Sequence, residues 1–152
     1  RVADYVIIMG YDEHWSGSET AGSVASIDFV ETGIEKTLEE VPAEKVINAL
    51  PFYTRVWKSE GGSLTSDAVG MDSADQFLAD NNVSPAWDEQ TCQNYAEFEV
   101  DNAYYQVWLE DEQSIEVKLN VMAQYNIAGV GAWKLGLERP SVWNVIDQYL
   151  NG

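Results

Sequence analysis

The sequence predicts an α/β fold in which a parallel sheet is interrupted by a small inserted α+β unit. Three apolar runs of strand length, Tyr5 to Met9, Val46 to Phe52 and Ile127 to Trp133, are separated or followed by amphipathic helical segments. Strands that alternate with helices in this way are typical of a parallel sheet. Between the second and third runs, from about Lys58 to Glu110, the pattern changes to short alternating segments.

The first strand is predicted to be buried and to end in polar chemistry. The run Asp4-Tyr5-Val6-Ile7-Ile8-Met9-Gly10 leads directly into Tyr11 and Asp12. Buried parallel strands present their functional groups at the carboxyl end, so these two residues are the first candidates for a site. A core strand this close to the first residue also leads us to expect a piece of a longer protein.

The first helix is predicted over Ser23 to Val41 from one apolar stripe. Pro42 is expected to end it, because the residue before proline rarely continues a helix. The second strand follows at once. The stripe recurs at steps of three and four residues and consists of Val24, Ile27, Val30, Ile34, Leu38 and Val41.

The insert is predicted to contain one helix and a hairpin. Ser73 and Gln76 have the spacing of a capping box and predict a short helix through about Asp80. The segments Tyr95 to Val100 and Ala103 to Leu109 alternate in character on either side of a tight turn at Asp101-Asn102. The faces predicted to be buried are Ala96, Phe98 and Val100 on one strand, and Ala103, Tyr105, Val107 and Leu109 on the other.

Two helices complete the predicted fold. Ser114 to Tyr125 repeats the helical pattern, and Asn126 is a plausible left-handed stop before the third strand. The last helix opens with Pro140, a residue suited to a first helical turn. Its predicted buried side consists of Val142, Val145, Ile146 and Tyr149.

Composition excludes several classes of function. The 152 residues include 26 acidic and 8 basic side chains, for a net charge of −18, which disfavours partners with phosphate backbones and anionic membrane surfaces. A single cysteine, Cys92, and a single histidine, His14, leave no Cys/His zinc site and no internal disulfide, so both are expected to be structural or solvated. No cofactor is indicated. No apolar run approaches the roughly 20 residues of a membrane span, and no signal peptide is evident.

The three strand ends resemble the last three strands of a family 18 glycoside hydrolase barrel. They are the runs Met9-Gly10-Tyr11-Asp12, Leu50-Pro51-Phe52-Tyr53-Thr54-Arg55 and Gly129-Val130-Gly131-Ala132-Trp133. One such run alone is weak evidence, whereas three in this order, with the insert between the second and third, are specific. The segments 50–57, 107–112 and 132–136 are most similar to the bacterial spore-cortex and cell-wall members. The resemblance covers essentially the whole chain.

The resemblance implies that the chain is the carboxyl-terminal part of a (β/α)8 barrel, which needs at least about 250 residues. We expect barrel portions at residues 1–57 and 111–152 and the α+β insertion at 58–110. The family's DxxDxDxE signature, whose last glutamate is the general acid, has no match in this sequence. We therefore expect the parent to be a hydrolase of β-1,4-linked N-acetylglucosamine glycan, chitin or peptidoglycan, and the chain alone to be inactive.

The resemblance also implies roles for particular residues. Hydrolysis in the family is substrate-assisted, since the N-acetyl carbonyl of the substrate attacks the anomeric carbon. Tyr11 would hydrogen-bond that acetamido oxygen, Asp12 would orient the sugar, and Trp133 would form the floor of the cleavage subsite. The remaining substrate-binding positions implied are Met9 on the pocket wall, Tyr53 and Arg55 after the second strand, and Trp15 and Trp57 as flanking platforms.

Four of these residues also have a structural interpretation. Tyr11 could cap a strand with its hydroxyl in water, and Asp12 could simply start a turn. Trp133 could belong to the core, as most tryptophans do. Arg55 could form a surface ion pair with one of the many carboxylates.

Two other functions stay open beside the hydrolase. The fold could serve as a carbohydrate-binding lectin whose catalytic acid has been lost, and the insert could have a structural or interaction role. A partial barrel would leave unpaired strand edges, so self-association of the chain is also expected. The location of the parent is not determined by the sequence, although the resemblance implies an extracellular, wall-bound or spore-associated bacterial protein.

Overall fold

Two sheets and four helices make up the computed structural model, which describes residues 3–152. In chain order the elements are β1 (Val6–Met9), α1 (Ile27–Leu38), β2 (Val46–Pro51), β3 (Tyr53–Glu60), β4 (Ser63–Gly70), α2 (Met71–Asp80), β5 (Ala86–Asp88), β6 (Gln93–Val100), β7 (Ala103–Trp108), α3 (Glu112–Gln124), β8 (Gly129–Trp133) and α4 (Val142–Asn151), with a 3-10 turn at Ala43–Lys45 before β2. The predicted mixed α/β class is confirmed. Because no described helix is long and apolar enough, none could cross a bilayer.

The first sheet is parallel and has the strand order β1-β2-β8. In its register Met9 lies opposite Ala49, and Ala49 lies opposite Gly131. The helices α1, α3 and α4 pack on the face of this sheet that carries Val46 and Leu50. The core at this face includes Val30, Ile34, Phe52, Ile115, Leu119, Met122, Val142 and Ile146.

The first strand is less buried than predicted. Ile7 and Met9 are 61% and 69% exposed, and Ile8, on the opposite face, packs partly against the core. Ile7 and Met9 are exposed because β1 pairs only with β2 and no described element packs on their side of the strand. An apolar run cannot itself indicate whether a neighbour is present on each side.

The bounds of the helices follow from their caps. α1 begins at Ile27, later than predicted, because the side chain of Ser26 accepts a hydrogen bond from the Phe29 amide at its N-cap. α3 begins before Ser114, whose amide donates to the Asp111 carboxylate in a capping box. Asn126 has a φ of 50°, which confirms the predicted left-handed stop.

The second sheet is antiparallel and has the order β4-β3-β7-β6-β5. The predicted hairpin is confirmed, with Ala96 opposite Val107 and Val100 opposite Ala103. Asp101 and Asn102 have φ values of 52° and 63°, the two positive angles that a type I′ turn requires. α2 packs on the face that carries Ala96 and Val107.

Three features of the second sheet differ from the sequence interpretation. Strands β3, β4 and β5 were not predicted, and α2 begins at Met71, so Ser73 lies within the helix and forms no cap. The sheet also begins at Tyr53, earlier than the expected boundary at Lys58. The chain leaves the parallel sheet at Phe52, whose amide donates to the Trp133 carbonyl at 2.8 Å, and then turns to pair with β4 and β7. The sequence run that begins at Val46 continues through Phe52, so the sequence did not predict this turn.

Candidate functional site

The carboxyl ends of the three parallel strands lie side by side at one edge of the first sheet. The Gly10 amide donates to the Ala49 carbonyl at 3.1 Å, and Pro51 lies opposite Trp133 in the register. Residues that follow β1 and β2 therefore reach the same edge as the last residue of β8. This is the edge at which parallel sheets place their functional groups.

Gly10 makes the close approach at this edge possible. A Cβ atom at this position would lie 2.7 Å from both the Ala49 carbonyl oxygen and the Asn48 Oδ1. Two residues later the backbone of Asp12 has a φ of 62°, in the left-handed region. The chain thus turns sharply out of β1 and presents Tyr11 and Asp12 at the end of the strand.

Tyr11, Asp12 and Tyr53 form one hydrogen-bonded aromatic cluster. The Tyr53 hydroxyl donates to the Asp12 carboxylate, and the rings of Tyr11 and Tyr53 meet edge to face with centroids 6.2 Å apart. Burial, and then the hydrogen bond and charge of Asp12, raise the pKa of Tyr53. Burial and the Asp12 charge likewise raise the pKa of Tyr11. Both phenols stay protonated at neutral pH. The Tyr53 proton is already donated to Asp12, so Tyr11 is the phenol of this pair that can donate to a ligand.

Arg55 lies two residues after Tyr53 on the same face of β3, because side chains alternate along a strand. Its Nη1 donates to the Ser66 hydroxyl at 3.0 Å, and its Nε is buried without a protein partner. Within residues 3–152 it forms no ion pair, so the surface ion pair considered from the sequence is not observed. Its guanidinium keeps donors that the described side chains leave unused.

Three of the predicted contact residues are exposed, as stacking on a ligand would require. Met9, Trp15 and Trp133 are 69%, 56% and 54% exposed. Trp133 closes β8, so the core position considered for it from the sequence is not observed.

The structure corrects the sequence interpretation of Trp57 as a flanking platform. It is only 1% exposed, and its Nε1 donates to the Gly22 carbonyl at 2.8 Å. A tryptophan in this position cannot be a stacking platform for a ligand. It instead fastens the loop that follows β1 to the antiparallel sheet.

A cavity lies outside this cluster. It has a volume of about 650 Å³ and is lined by the loop after β1, one side of α1, the turn before β6 and Trp108. None of the residues that the sequence predicted as a site lines it. His14, which does line it, has its Nδ1 2.8 Å from the Ser23 carbonyl, in keeping with the structural role expected from the sequence.

The described side chains assemble no metal centre. No group of three or more histidine, cysteine, aspartate or glutamate residues within 3–152 could hold a metal ion. The acidic run Glu110-Asp111-Glu112 lies at the start of α3, and Glu110 is fully enclosed by Gln93, Ser114 and Lys118. The cluster at the strand ends can therefore bind and orient a polar ligand, and it offers aromatic surface beside hydrogen-bond donors.

Sequence reasoning did not identify two polar residues of this region. Ser66, the partner of Arg55, lies on β4, and Gln93 begins β6, and neither strand position stands out in the sequence. An isolated serine or glutamine has no pattern that marks it as buried. Only the pairing of β3 with β4 brings Ser66 to Arg55, and only the packing of the loop after β1 brings Gln93 to Ser23.

Comparison with known proteins places these features in a family. The sequence model of Glycosyl hydrolases family 18 matches residues 1–138. The chain is 30% identical to glycosylase YvbX of Bacillus subtilis (strain 168) over 147 residues, which are 96% of this chain and 42% of that protein.

Two solved structures give the same result. The spore cortex-lytic enzyme SleL of Bacillus cereus superposes with a TM-score of 0.87 at 27% identity, over 96% of this chain and 34% of that one. A chitinase of Chromobacterium violaceum superposes with a TM-score of 0.85 at 27% identity, over 99% and 46%. The chain thus spans between about a third and a half of the length of these relatives. By the match of its sequence over most of its length, the chain belongs to family 18 of the glycosyl hydrolases.

Proposed function

We propose that this chain forms the carboxyl-terminal part of a barrel that hydrolyses β-1,4-linked N-acetylglucosamine glycans, either peptidoglycan or chitin. The observation that supports this most directly is the cluster of Tyr11, Asp12 and Tyr53 at the strand ends, beside the exposed Trp133 at the end of β8. The phenol donor of Tyr11 and the carboxylate of Asp12 beside an exposed indole face suit a sugar, which offers hydroxyl groups at its rim and C–H groups on its faces. The family membership makes a glycan the first ligand to test.

In this proposal the chain positions substrate and does not supply the acid. Tyr11 donates to the acetamido oxygen of the sugar at the cleavage site, while Asp12, held by Tyr53, fixes the orientation of that group. The acetamido oxygen then attacks the anomeric carbon as the glycosidic oxygen is protonated. Trp133 packs against the sugar from below, and Arg55 contributes further donors. Because the 152 residues contain no DxxDxDxE run, we propose that the chain alone does not cleave glycan.

A binding experiment on the chain itself tests the first half of the proposal. We expect the N-acetylglucosamine trimer to bind and to quench tryptophan fluorescence, and Tyr11→Phe to weaken binding about fivefold to tenfold, the value of one hydrogen bond. Tyr104→Phe is the matched control, because Tyr104 is a partly exposed tyrosine on β7 whose hydroxyl donates only to Glu97. Equal affinities for the two variants would count against the assignment of Tyr11.

A chimera tests the second half. Joining the amino-terminal strands of the Bacillus cereus relative to residues 3–152 would supply a general acid to this site. We expect the chimera to release N-acetylglucosamine from the oligomer, and Asp12→Asn in the chimera to reduce turnover more than trimer affinity. A folded chimera that binds the trimer without turnover would defeat the hydrolase proposal.

The alternative is a carbohydrate-binding protein of the same fold without catalysis. It predicts that the trimer binds as above but that the residue at the end of the DxxDxDxE run of the full polypeptide is glutamine or leucine. A glutamate at that position favours the enzyme. The sequence of that segment therefore decides between the two functions.

Self-association of the isolated chain is a separate proposal. Within residues 3–152, β1 and β8 each pair with β2 alone, and Ile7, Met9 and Trp133 leave apolar surface on the open side. Such edges favour pairing with another strand. Sedimentation velocity at increasing concentration should show dimers or larger species, and a monomer at all concentrations would refute the proposal.

A further inference from the structure

The loop from Asp12 to Ser26 carries Trp15 and adjoins Tyr11, yet it contains no helix or strand. It is folded back on itself. The Glu13 amide donates to the Val24 carbonyl at 2.9 Å, and the His14 amide donates to the Ser23 carbonyl at 3.2 Å. These two bonds tie the start of the loop, directly after Tyr11 and Asp12, to its end.

Hydrogen bonds hold the end of this loop against the antiparallel sheet. The Ser23 hydroxyl donates to Oε1 of Gln93, Trp57 donates to the Gly22 carbonyl at 2.8 Å, and the Ile27 amide donates to the Thr91 carbonyl at 3.1 Å. Behind the loop lies the cavity of about 650 Å³, so one side lacks close packing. Both hydrogen bonds and packing keep the end of the loop in place, since Val24 and Ala25 are buried.

Gln93 is the residue that connects the loop to the core of the protein. It is fully buried, and its Nε2 donates to the Leu109 carbonyl at 3.1 Å and to Glu110 at 2.9 Å. Because both acceptors occupy the amide nitrogen, the amide oxygen is turned toward Ser23. Glu110 is in turn bound by Lys118 at 3.0 Å, which fixes the acceptor.

We infer that Gln93 and Ser23 are positioning residues, which hold the loop from the antiparallel sheet and so, together with the hydrogen bond from Tyr53 to Asp12, set the presentation of Asp12 and Trp15. This gives the inserted sheet a definite role in the site, although neither residue touches a ligand. The effect on ligand binding rests on the proposed function, whereas the effect on the loop does not.

Amide hydrogen exchange on the 152-residue chain tests the inference without any ligand. In Ser23→Ala the bond to Gln93 and the bond that the hydroxyl accepts from the Ala25 amide at 3.0 Å are lost, while the bonds from Gln93 to Leu109 and Glu110 remain. We expect the amides of Glu13 and His14 to exchange at least about tenfold faster, since one buried hydrogen bond contributes about that factor. The Phe52 amide in the parallel sheet should keep its rate.

Three further variants complete the experiment. Ser23→Thr retains the hydroxyl and should restore slow exchange, whereas Gln93→Leu should accelerate the same loop amides. Ser73→Ala, on the exposed side of α2, is the matched control and should change nothing. Wild-type loop rates in Ser23→Ala, or equal acceleration of every amide including that of Phe52, would overturn the inference.

A binding measurement on the same variants separates this inference from the proposed function. Ser23→Ala should lower the affinity for the N-acetylglucosamine trimer about fivefold, the effect of one hydrogen bond between site and sugar that is displaced and lost. If the wild-type chain does not bind the trimer, the proposed function fails while the exchange result still stands. Faster loop exchange with unchanged trimer affinity would refute the role of the loop anchor in positioning.

Discussion

Replacing Lys118 by methionine removes one half of a buried ion pair and leaves a carboxyl group enclosed by protein. Lys118 and Glu110 are 1% and 2% exposed, and their Nζ and Oε1 atoms are 3.0 Å apart. Breaking a pair of this kind costs about 3–5 kcal/mol when the remaining charge stays ionised. Methionine fills nearly the same space, so a cavity contributes little to the loss.

Protonation limits this loss and makes it depend on pH. Burial raises the pKa of Glu110, and the Lys118 ammonium opposes that rise. Without Lys118 the folded chain can protonate the carboxyl at a cost of about 1.4 kcal/mol per pH unit above about 4.3, the pKa of glutamate in an unfolded chain. The loss in free energy of unfolding that the unpaired carboxylate can cause is thus at most about 3.7 kcal/mol at pH 7 and about 1 kcal/mol at pH 5.

The sign follows from proton binding. In Lys118→Met the folded state holds a proton on Glu110 that the unfolded state releases above about pH 4.3, so the free energy of unfolding falls as the pH rises. Urea unfolding followed by tryptophan fluorescence at pH 5 and pH 7 measures the difference. We expect Lys118→Met to lose about 3–4 kcal/mol at pH 7 and about 1 kcal/mol at pH 5.

The double variant Glu110→Gln/Lys118→Met is the control, because it buries no ionisable group at this position. Relative to wild type, its stability should depend far less on pH over this interval than that of the single variant. Equal destabilisation of Lys118→Met at both pH values, or a loss below about 1 kcal/mol at pH 7, would refute the interpretation as a buried charge pair.

Three other predictions concern the packing and caps of the fold. Trp57→Phe should lower the free energy of unfolding by about 1–3 kcal/mol, since a buried carbonyl loses its donor, and an unchanged urea midpoint would contradict this. Asn102→Val should cost about 1–2 kcal/mol because its φ of 63° disfavours a β-branched residue; thermal unfolding measures this, and Asn102→Gly should show no loss. Although burial opposes it, hydrogen bonds from Ser141 and Arg139 lower the pKa of Glu112. The stabilisation of the fold by the ionised Glu112 carboxylate is fully present above the pKa of glutamate in the unfolded chain, and it is lost as the pH falls through the lower pKa in the folded chain. When the pH is lowered, the free energy of unfolding of Arg139→Gln should therefore fall less than that of wild type.

Much of the fold could be predicted because its signals are local. The apolar stripe at three- and four-residue steps specifies the helix from Ile27 regardless of its neighbours. The alternation around Asp101 and Asn102 specifies a hairpin and its register, since a two-residue turn fixes which residues face each other. Tyr11 and Asp12 could be located at a strand end because the apolar run stops there.

The sequence could not predict features that depend on a partner element. The run from Val46 to Trp57 is continuous in composition, and only pairing divides it into a parallel strand and an antiparallel one. Trp57 has the composition of a stacking platform, and only the fold of the loop after β1 encloses it.

By itself the sequence determined the α/β class, most of the helices, the hairpin and the resemblance to family 18, because periodicity, turn residues and short motifs act over a few neighbouring positions. The tertiary structure decided which aromatic residues are exposed, which carboxylate binds Tyr53, and that Gln93 and Ser23 join the insert to the site loop. Burial and hydrogen bonding between residues far apart in the chain depend on how separate elements pack, and no local pattern encodes that packing.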